Sequence, residues 1–230
     1  MQTADRAPAG ARAVAWTGTL FFFASLAYFL FSYVMVFGRQ VPDGPRTYPV
    51  AIDVTLFTVF AMHHSVFARG RVRAAVSRVV PPMLERSCYV WIASALFIAV
   101  IALWQPVPGV AWRAGGALRW LLVALQTAGV WLTLRSAMII DVLELSGVRQ
   151  LSPEPGALEF KTSGPYGWMR HPIYTGWFLM VFCTPAMTMT RLVFAVVSCL
   201  YLIIAIPFEE RSLIATSAGA YERYARQVRW

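Results

Sequence analysis

The sequence predicts an all-α membrane protein, a polytopic transmembrane bundle of about six hydrophobic helices closed by a short amphipathic C-terminal helix. Two observations carry that prediction. Hydrophobic residues make up 58% of the 230-residue chain and charged residues only 13%, against about 45–50% and about 25% in soluble domains. A chain so poor in charge cannot cover a globular surface with polar groups and needs lipid as its solvent. Its apolar residues also fall into uncharged runs near the ~20 residues that cross a bilayer as a helix.

The runs define the elements in order. Val14–Phe37 is the first span, too long for the apolar region of a cleavable signal peptide and therefore a span that stays. Val50–Ala68 is the second and carries Asp53, His63 and His64. Cys88–Trp104 is the third, bounded by Arg86 and by the breaker Gln105-Pro106-Val107-Pro108-Gly109. Trp120–Ile140 is the fourth, interrupted by Arg135. Ile173–Thr190 and Leu192–Phe208 form a helical hairpin joined at Arg191, its first arm shortened by Pro185. Glu209–Trp230 is too polar to cross and is amphipathic. We read one membrane domain over residues 1–230, with a four-helix part at 14–140 and a C-terminal part at 141–230.

Basic residues orient the chain. With six crossings one side collects Arg6, Arg12, Arg69, Arg71, Arg73, Arg78, Arg86, Arg149, Lys161, Arg170, Arg211, Arg223, Arg226 and Arg229. The other side keeps Arg39, Arg46, Arg113, Arg119 and Arg191. Positive residues stay cytoplasmic, so both termini are expected inside, at a bacterial inner membrane. The net charge of +9 is this bias together with attraction to membrane lipid headgroups. The arginines are scattered over loops and not set on one face, which argues against a nucleic-acid partner.

Cys88, Cys183 and Cys199 lie in or at the edge of apolar spans, with no CxxC and no spacing suited to zinc, so they read as small apolar residues. No GxGxxG follows a strand, which excludes a Rossmann cofactor domain. Adjacent His63 and His64 point about 100° apart on a helix and do not share one metal. An ionisable side chain within a span is still a functional candidate, and His64 is the candidate base or substrate contact.

The densest motif runs from Gly164 to Gly176. Pro172 suits the first turn of a helix, where its missing N–H costs nothing. The free amides there, with Arg170 and His171 beside them, suit a carboxylate or other anion. Tyr174 adds an aromatic face for a purine or a cation. Farther on, Glu209-Glu210-Arg211 stands where the second hairpin arm returns to the same side. Two adjacent carboxylates can take up an α-ammonium and ribose hydroxyls, so the two ends could clamp a zwitterionic nucleoside. Each end alone could equally be a basic membrane anchor and a pair of acids in a first helical turn.

The run RHPIYTG, an apolar hairpin and EERSLIATSAGAYERYARQV together resemble the isoprenylcysteine carboxyl methyltransferase and phospholipid methyltransferase superfamily, over residues 164–228. The resemblance implies S-adenosylmethionine as cofactor, held by Arg170, His171, Pro172, Tyr174, Gly176, Glu209 and Glu210, with the hairpin walling the pocket. That superfamily's tail continues into a Val-Pro element, where this chain reads Val228-Arg229-Trp230.

The strings His64-Ser65-Val66-Phe67-Ala68-Arg69, Pro81–Val90 and Ile140–Gln150 are similar to the bacterial methanethiol S-methyltransferases and their NnrU-type relatives. Those proteins show a His after Asp141, where this chain has Val142. The implied function is methyl transfer to a small or membrane-soluble acceptor, best a thiol, with Arg170 and His64 as catalytic helpers and no metal. The alternatives are a phospholipid or prenylcysteine acceptor, or a non-catalytic NnrU-type protein binding haem through the His pair.

Overall fold

A computed structural model describes residues 7–67, 76, 78–151, 162–217 and 219–228. Of the basic residues used to orient the chain, Arg6, Arg69, Arg71, Arg73, Lys161 and Arg229 lie outside the described residues. The helices are α1 (Ala9–Phe31), α2 (Thr47–Phe67), α3 (Glu85–Leu103), α4 (Gly116–Ile140), the single turn α5 (Val142–Leu145), α6 (Pro172–Phe182), α7 (Met189–Thr216) and α8 (Ala220–Gln227). A π-helical turn, Ser32–Val36, prolongs α1. There are also two strands, β1 (Val110–Arg113) and β2 (Ala186–Thr188), and three 3-10 turns, Pro82–Leu84, Arg149–Leu151 and Gly164–Gly167. Among the described residues, four helical segments are long and apolar enough to cross a membrane: Ala9–Val36, Pro82–Leu103, Gly116–Ile140 and Met189–Thr216. The protein is an integral membrane protein of the all-α class.

The chain divides into two compact units. The first takes its described residues from Met1–Val34, Thr55–Trp104 and Asp141–Ala157. Here α1 packs along α3 through small residues facing large ones. A Cβ on Gly18 would stand 3.0 Å from the Trp91 ring, and the indole N–H of Trp91 donates to the Val14 carbonyl at 3.2 Å. Phe97 is buried between Phe29 and Phe60, with ring centroids 5.6 and 5.3 Å away. Beyond α4, Asp141 caps α5 by accepting the Leu143 N–H at 2.9 Å. It also pairs with Arg149 at 2.6 Å. Burial alone would raise the Asp141 pKa, but the Arg149 partner and the backbone donors outweigh it and hold the carboxyl below its ordinary value.

The second unit takes its described residues from Met35–Val54, Gln105–Ile140 and Leu158–Trp230. Its main packing is α4 against α6, made close by Gly129 and Gly176, with the Gln126 amide donating to the Met180 carbonyl at 2.8 Å. The breaker expected after the third span ends α3 at Leu103. The backbone N–H of Gln105 then donates to Asp53 Oδ1 at 2.7 Å, and the Asp53 side chain is fully buried.

The hairpin departs from expectation in three ways. Its first arm is helical only over Pro172–Phe182. The chain then extends through Pro185 into β2, which pairs antiparallel with β1, Val110 opposite Thr188 and Arg113 opposite Ala186. Arg191 is not the link between arms. It sits in the first turn of α7, 8% exposed, and its guanidinium donates to the Ala186 carbonyl at 2.6 Å and to Thr184 Oγ1 at 3.2 Å. A charge with so little water must be satisfied by the protein, and the turn before α7 supplies those acceptors. The second arm also runs past Phe208 without a break: α7 passes through Pro207, Glu209 and Glu210 to Thr216.

Candidate functional site

The loop before α6 begins with a 3-10 turn, Gly164–Gly167, whose Pro165 carbonyl accepts the Trp168 and Met169 amides, each at 3.1 Å. Pro172 opens α6 with the preset φ of proline. His171 stands at the cap with φ −123° and makes no side-chain cap bond. Its ring is turned instead toward α7. This local geometry presents Arg170, His171 and Tyr174 from one short stretch.

Helix α7 meets that stretch with its two carboxylates. Glu210 Oε1 accepts from His171 Nε2 at 3.1 Å and lies 3.3 Å from the Arg170 guanidinium. Glu209 Oε2 accepts from the Tyr174 hydroxyl at 2.5 Å and lies 3.9 Å from His171 Nδ1. The rings of His171 and Tyr174 stack with centroids 5.4 Å apart and planes 4° from parallel. Adjacent side chains on a helix diverge by about 100°, so the two glutamates meet opposite sides of His171, Glu210 together with Arg170 and Glu209 together with Tyr174. The Arg170 and Glu210 side chains are mostly covered, at 18% and 23% exposure, while Glu209 is 44% exposed.

Five of the residues expected in a donor site, Arg170, His171, Tyr174, Glu209 and Glu210, are therefore brought together. Pro172 is buried and sets the helix start. Gly176 faces α4, where an added Cβ would stand 2.7 Å from the Gly129 carbonyl and 2.9 Å from the Thr133 nitrogen. Its place in the structure is one of close helix packing. His64 belongs to the first unit. There its Nδ1 is 2.7 Å from the Tyr89 hydroxyl, the Tyr89 ring stacks on His63 with centroids 5.8 Å apart, and the Arg86 guanidinium lies 5.3 Å from the Tyr89 ring centre.

Two residues missing from the expected set complete the cluster. The Tyr221 hydroxyl donates to Glu210 Oε1 at 2.8 Å, and the Tyr224 hydroxyl donates to the Tyr166 carbonyl at 2.6 Å. Their three-residue spacing, which puts both on one helix face, was the available signal. Burial, and then the Glu210 carboxylate, push the Tyr221 hydroxyl well above the ordinary phenol range; burial also raises Tyr224. Both are donors at any working pH. Among the described residues no group of three or more His, Cys, Asp or Glu could hold a metal ion.

Comparison with known proteins places the chain. Residues 130–215 match the isoprenylcysteine carboxyl methyltransferase (ICMT) family. The chain is 38% identical over 183 residues to a methanethiol S-methyltransferase of Crocosphaera subtropica, covering 77% of this chain and 72% of that protein. It is 36% identical over 194 residues to a methanethiol S-methyltransferase of Mycobacterium tuberculosis, covering 80% and 78%. Nurim of Xenopus laevis is 29% identical over 174 residues, covering 66% and 58%. No solved structure matches. With the apolar helical fold, these matches define the class as an integral membrane methyltransferase. Within that class, the chain belongs to the isoprenylcysteine carboxyl methyltransferase superfamily, alongside relatives named methanethiol S-methyltransferase.

Proposed function

We propose that this methyltransferase uses S-adenosylmethionine as donor and methylates a small thiol, with methanethiol the leading acceptor. The observation that carries the donor is the convergence of Arg170, His171 and Tyr174 on Glu209 and Glu210. The donor set suits the group chemically. Carboxylates suit an α-ammonium and ribose hydroxyls, a guanidinium suits a carboxylate, and stacked rings suit an adenine or a sulfonium. The names of the relatives supply the acceptor class, and the sequence likeness to that group supports it.

When bound, S-adenosylmethionine supplies an electrophilic methyl on a sulfonium, which an acceptor thiolate takes by in-line displacement. The protein contributes placement and dryness. Arg170, Glu209 and Glu210 fix the donor so that an acceptor can approach to about 3–3.5 Å in line; methyl transfer also requires that water be kept from the reacting atoms. Arg170 favours the thiolate by its charge.

The protein sits in a bacterial inner membrane with both termini cytoplasmic, surrounded by lipid. Turnover of S-adenosylmethionine against methanethiol, an amine lipid and a prenylcysteine tests the whole reading. Methylation of the thiol at the highest rate is expected. A faster lipid or prenylcysteine reaction would reassign the acceptor, and a purified protein with a haem Soret band and no transfer would overturn the reading.

A further inference from the structure

The described hydrogen bonds and ion pairs of Glu210 end on a single oxygen. Oε1 accepts the Tyr221 hydroxyl at 2.8 Å and His171 Nε2 at 3.1 Å, and has Arg170 at 3.3 Å. No described side chain bonds Oε2. Two of these donors come from the loop before α6 and the third from α8, which follows α7 through a turn at Gly219. That residue has φ +83°, where a side chain would be strained. Tyr221 and Tyr224 of α8, and Val228 just after it, are buried, with Leu213 and Ala225 packed against them. The Tyr224 hydroxyl reaches the carbonyl of Tyr166 at 2.6 Å, with that of Met169 at 3.3 Å. One short helix thus ties itself both to the carboxylate of α7 and to the loop that carries Arg170 and His171.

We propose that α8 is a clasp on the donor site and that Tyr221 is its positioning residue: by holding Glu210 Oε1, it turns Oε2 to receive the α-ammonium of the donor. The inference rests on the reading of this cluster as the S-adenosylmethionine site. Tyr221 touches no reacting atom. It acts through Glu210, keeping the carboxylate in one rotamer so that its unused lone pairs point to one place. Tyr224 acts on the other side of the same site by fixing the loop backbone. Donor binding and the seating of α8 are then one event.

The test pairs a side chain with a ligand group. Tyr221→Phe keeps the buried ring and removes only the hydroxyl. By calorimetry it is expected to weaken S-adenosylhomocysteine about tenfold, the order of one hydrogen bond to a charged group. In turnover it should raise KM for S-adenosylmethionine by a similar factor, with kcat at saturating donor and the thermal midpoint unchanged. With the deaminated analogue of S-adenosylhomocysteine, which lacks the α-ammonium, wild type and variant should bind alike. Equal affinity of both proteins for S-adenosylhomocysteine, or the same penalty with both ligands, would overturn the clasp. A wild-type protein that binds neither S-adenosylmethionine nor S-adenosylhomocysteine would overturn the site reading, and the clasp with it. Hydrogen exchange on the wild type needs no variant. Added S-adenosylhomocysteine should slow amide exchange across residues 220–228, and unchanged exchange there would also overturn the proposal.

Discussion

Gly129 of α4 and Gly176 of α6 meet backbone to backbone, so closely that a Cβ on Gly129 would stand 2.6 Å from the Gly176 carbonyl oxygen and 2.7 Å from the Met180 nitrogen. Neither obstacle is a side-chain tip that could swing away. Without a hydrophobic force between helices in lipid, such small-residue contacts are what bring two backbones together. Their consequence for the site is direct, because α6 begins at the loop that carries Arg170 and His171.

Gly129→Ala and Gly176→Ala should each destabilise the protein by about 1–3 kcal/mol through overpacking, read as a lowered thermal midpoint in detergent. Each should also weaken donor binding, since the start of α6 must shift to make room. Ala128→Gly, on the same helix, should leave donor affinity unchanged. A Gly129→Ala protein as stable and as tight for donor as wild type would contradict the helix contact.

The cluster makes a second demand. His171→Ala, Tyr174→Ala and Glu210→Ala should each weaken S-adenosylmethionine binding by calorimetry, while folded yield stays near normal. Truncation at these partly covered positions removes little core packing. A loss of about 1.5–3 kcal/mol is expected where a hydrogen bond to a charged group disappears. Unchanged affinity in all three would leave the residues as a helix start and a membrane anchor, with no part in holding donor.

These two sets of residues show what local pattern can and cannot disclose. The spans were legible because an uncharged run of the right length has few other uses, and α1, α3 and α4 keep the expected places. Pro185 signalled a break, but nothing near it signals that Ala186–Thr188 pairs with Val110–Arg113, a contact between segments separated in the chain by α4, α5 and α6. Arg191 looked like a loop residue because charge in an apolar stretch usually marks a boundary; its acceptors come from a turn whose shape is tertiary. In the site, Arg170, His171, Tyr174, Glu209 and Glu210 were legible as one motif read whole. The bond from Tyr221 to Glu210 was not, because spacing places a residue on a helix face without saying what that face meets.

Topology gives a third test. Gly109 and Arg191, otherwise natural insertion points, are engaged in the β1–β2 region, the Gly109 carbonyl accepting the Met189 amide at 2.9 Å. Reporters inserted at Asp43 and Gly115 should report the outside, and reporters at Ser163 and the C-terminus the cytoplasm. A cytoplasmic Gly115 would sink the orientation drawn from the arginines.

The acceptor itself is the last matter, and pH separates the alternatives. The thiolate is the nucleophile, and a free thiol of pKa near about 8.5 is only a few per cent ionised at neutral pH. An apolar site raises that pKa further unless a cation or base offsets the cost. If His64 takes the proton, activity toward a small thiol should rise as pH climbs toward the pKa of the thiol, where deprotonation needs less help. His64→Ala should then lower turnover more at pH 7 than at pH 9, with S-adenosylmethionine affinity little changed. Tyr89→Phe, which removes the hydroxyl 2.7 Å from His64 Nδ1, should show the same pH pattern with a smaller loss, since the imidazole remains but its orientation is less fixed. Equal losses at both pH values would assign His64 a packing role instead. Faster methylation of a lipid amine than of any thiol would count against the acceptor itself. Val142 stands where the resemblance read from the sequence implies a His after Asp141, so Val142→His is the matching gain test. A rise in thiol turnover at neutral pH, with S-adenosylmethionine affinity unchanged, is the outcome expected if that position assists the acceptor.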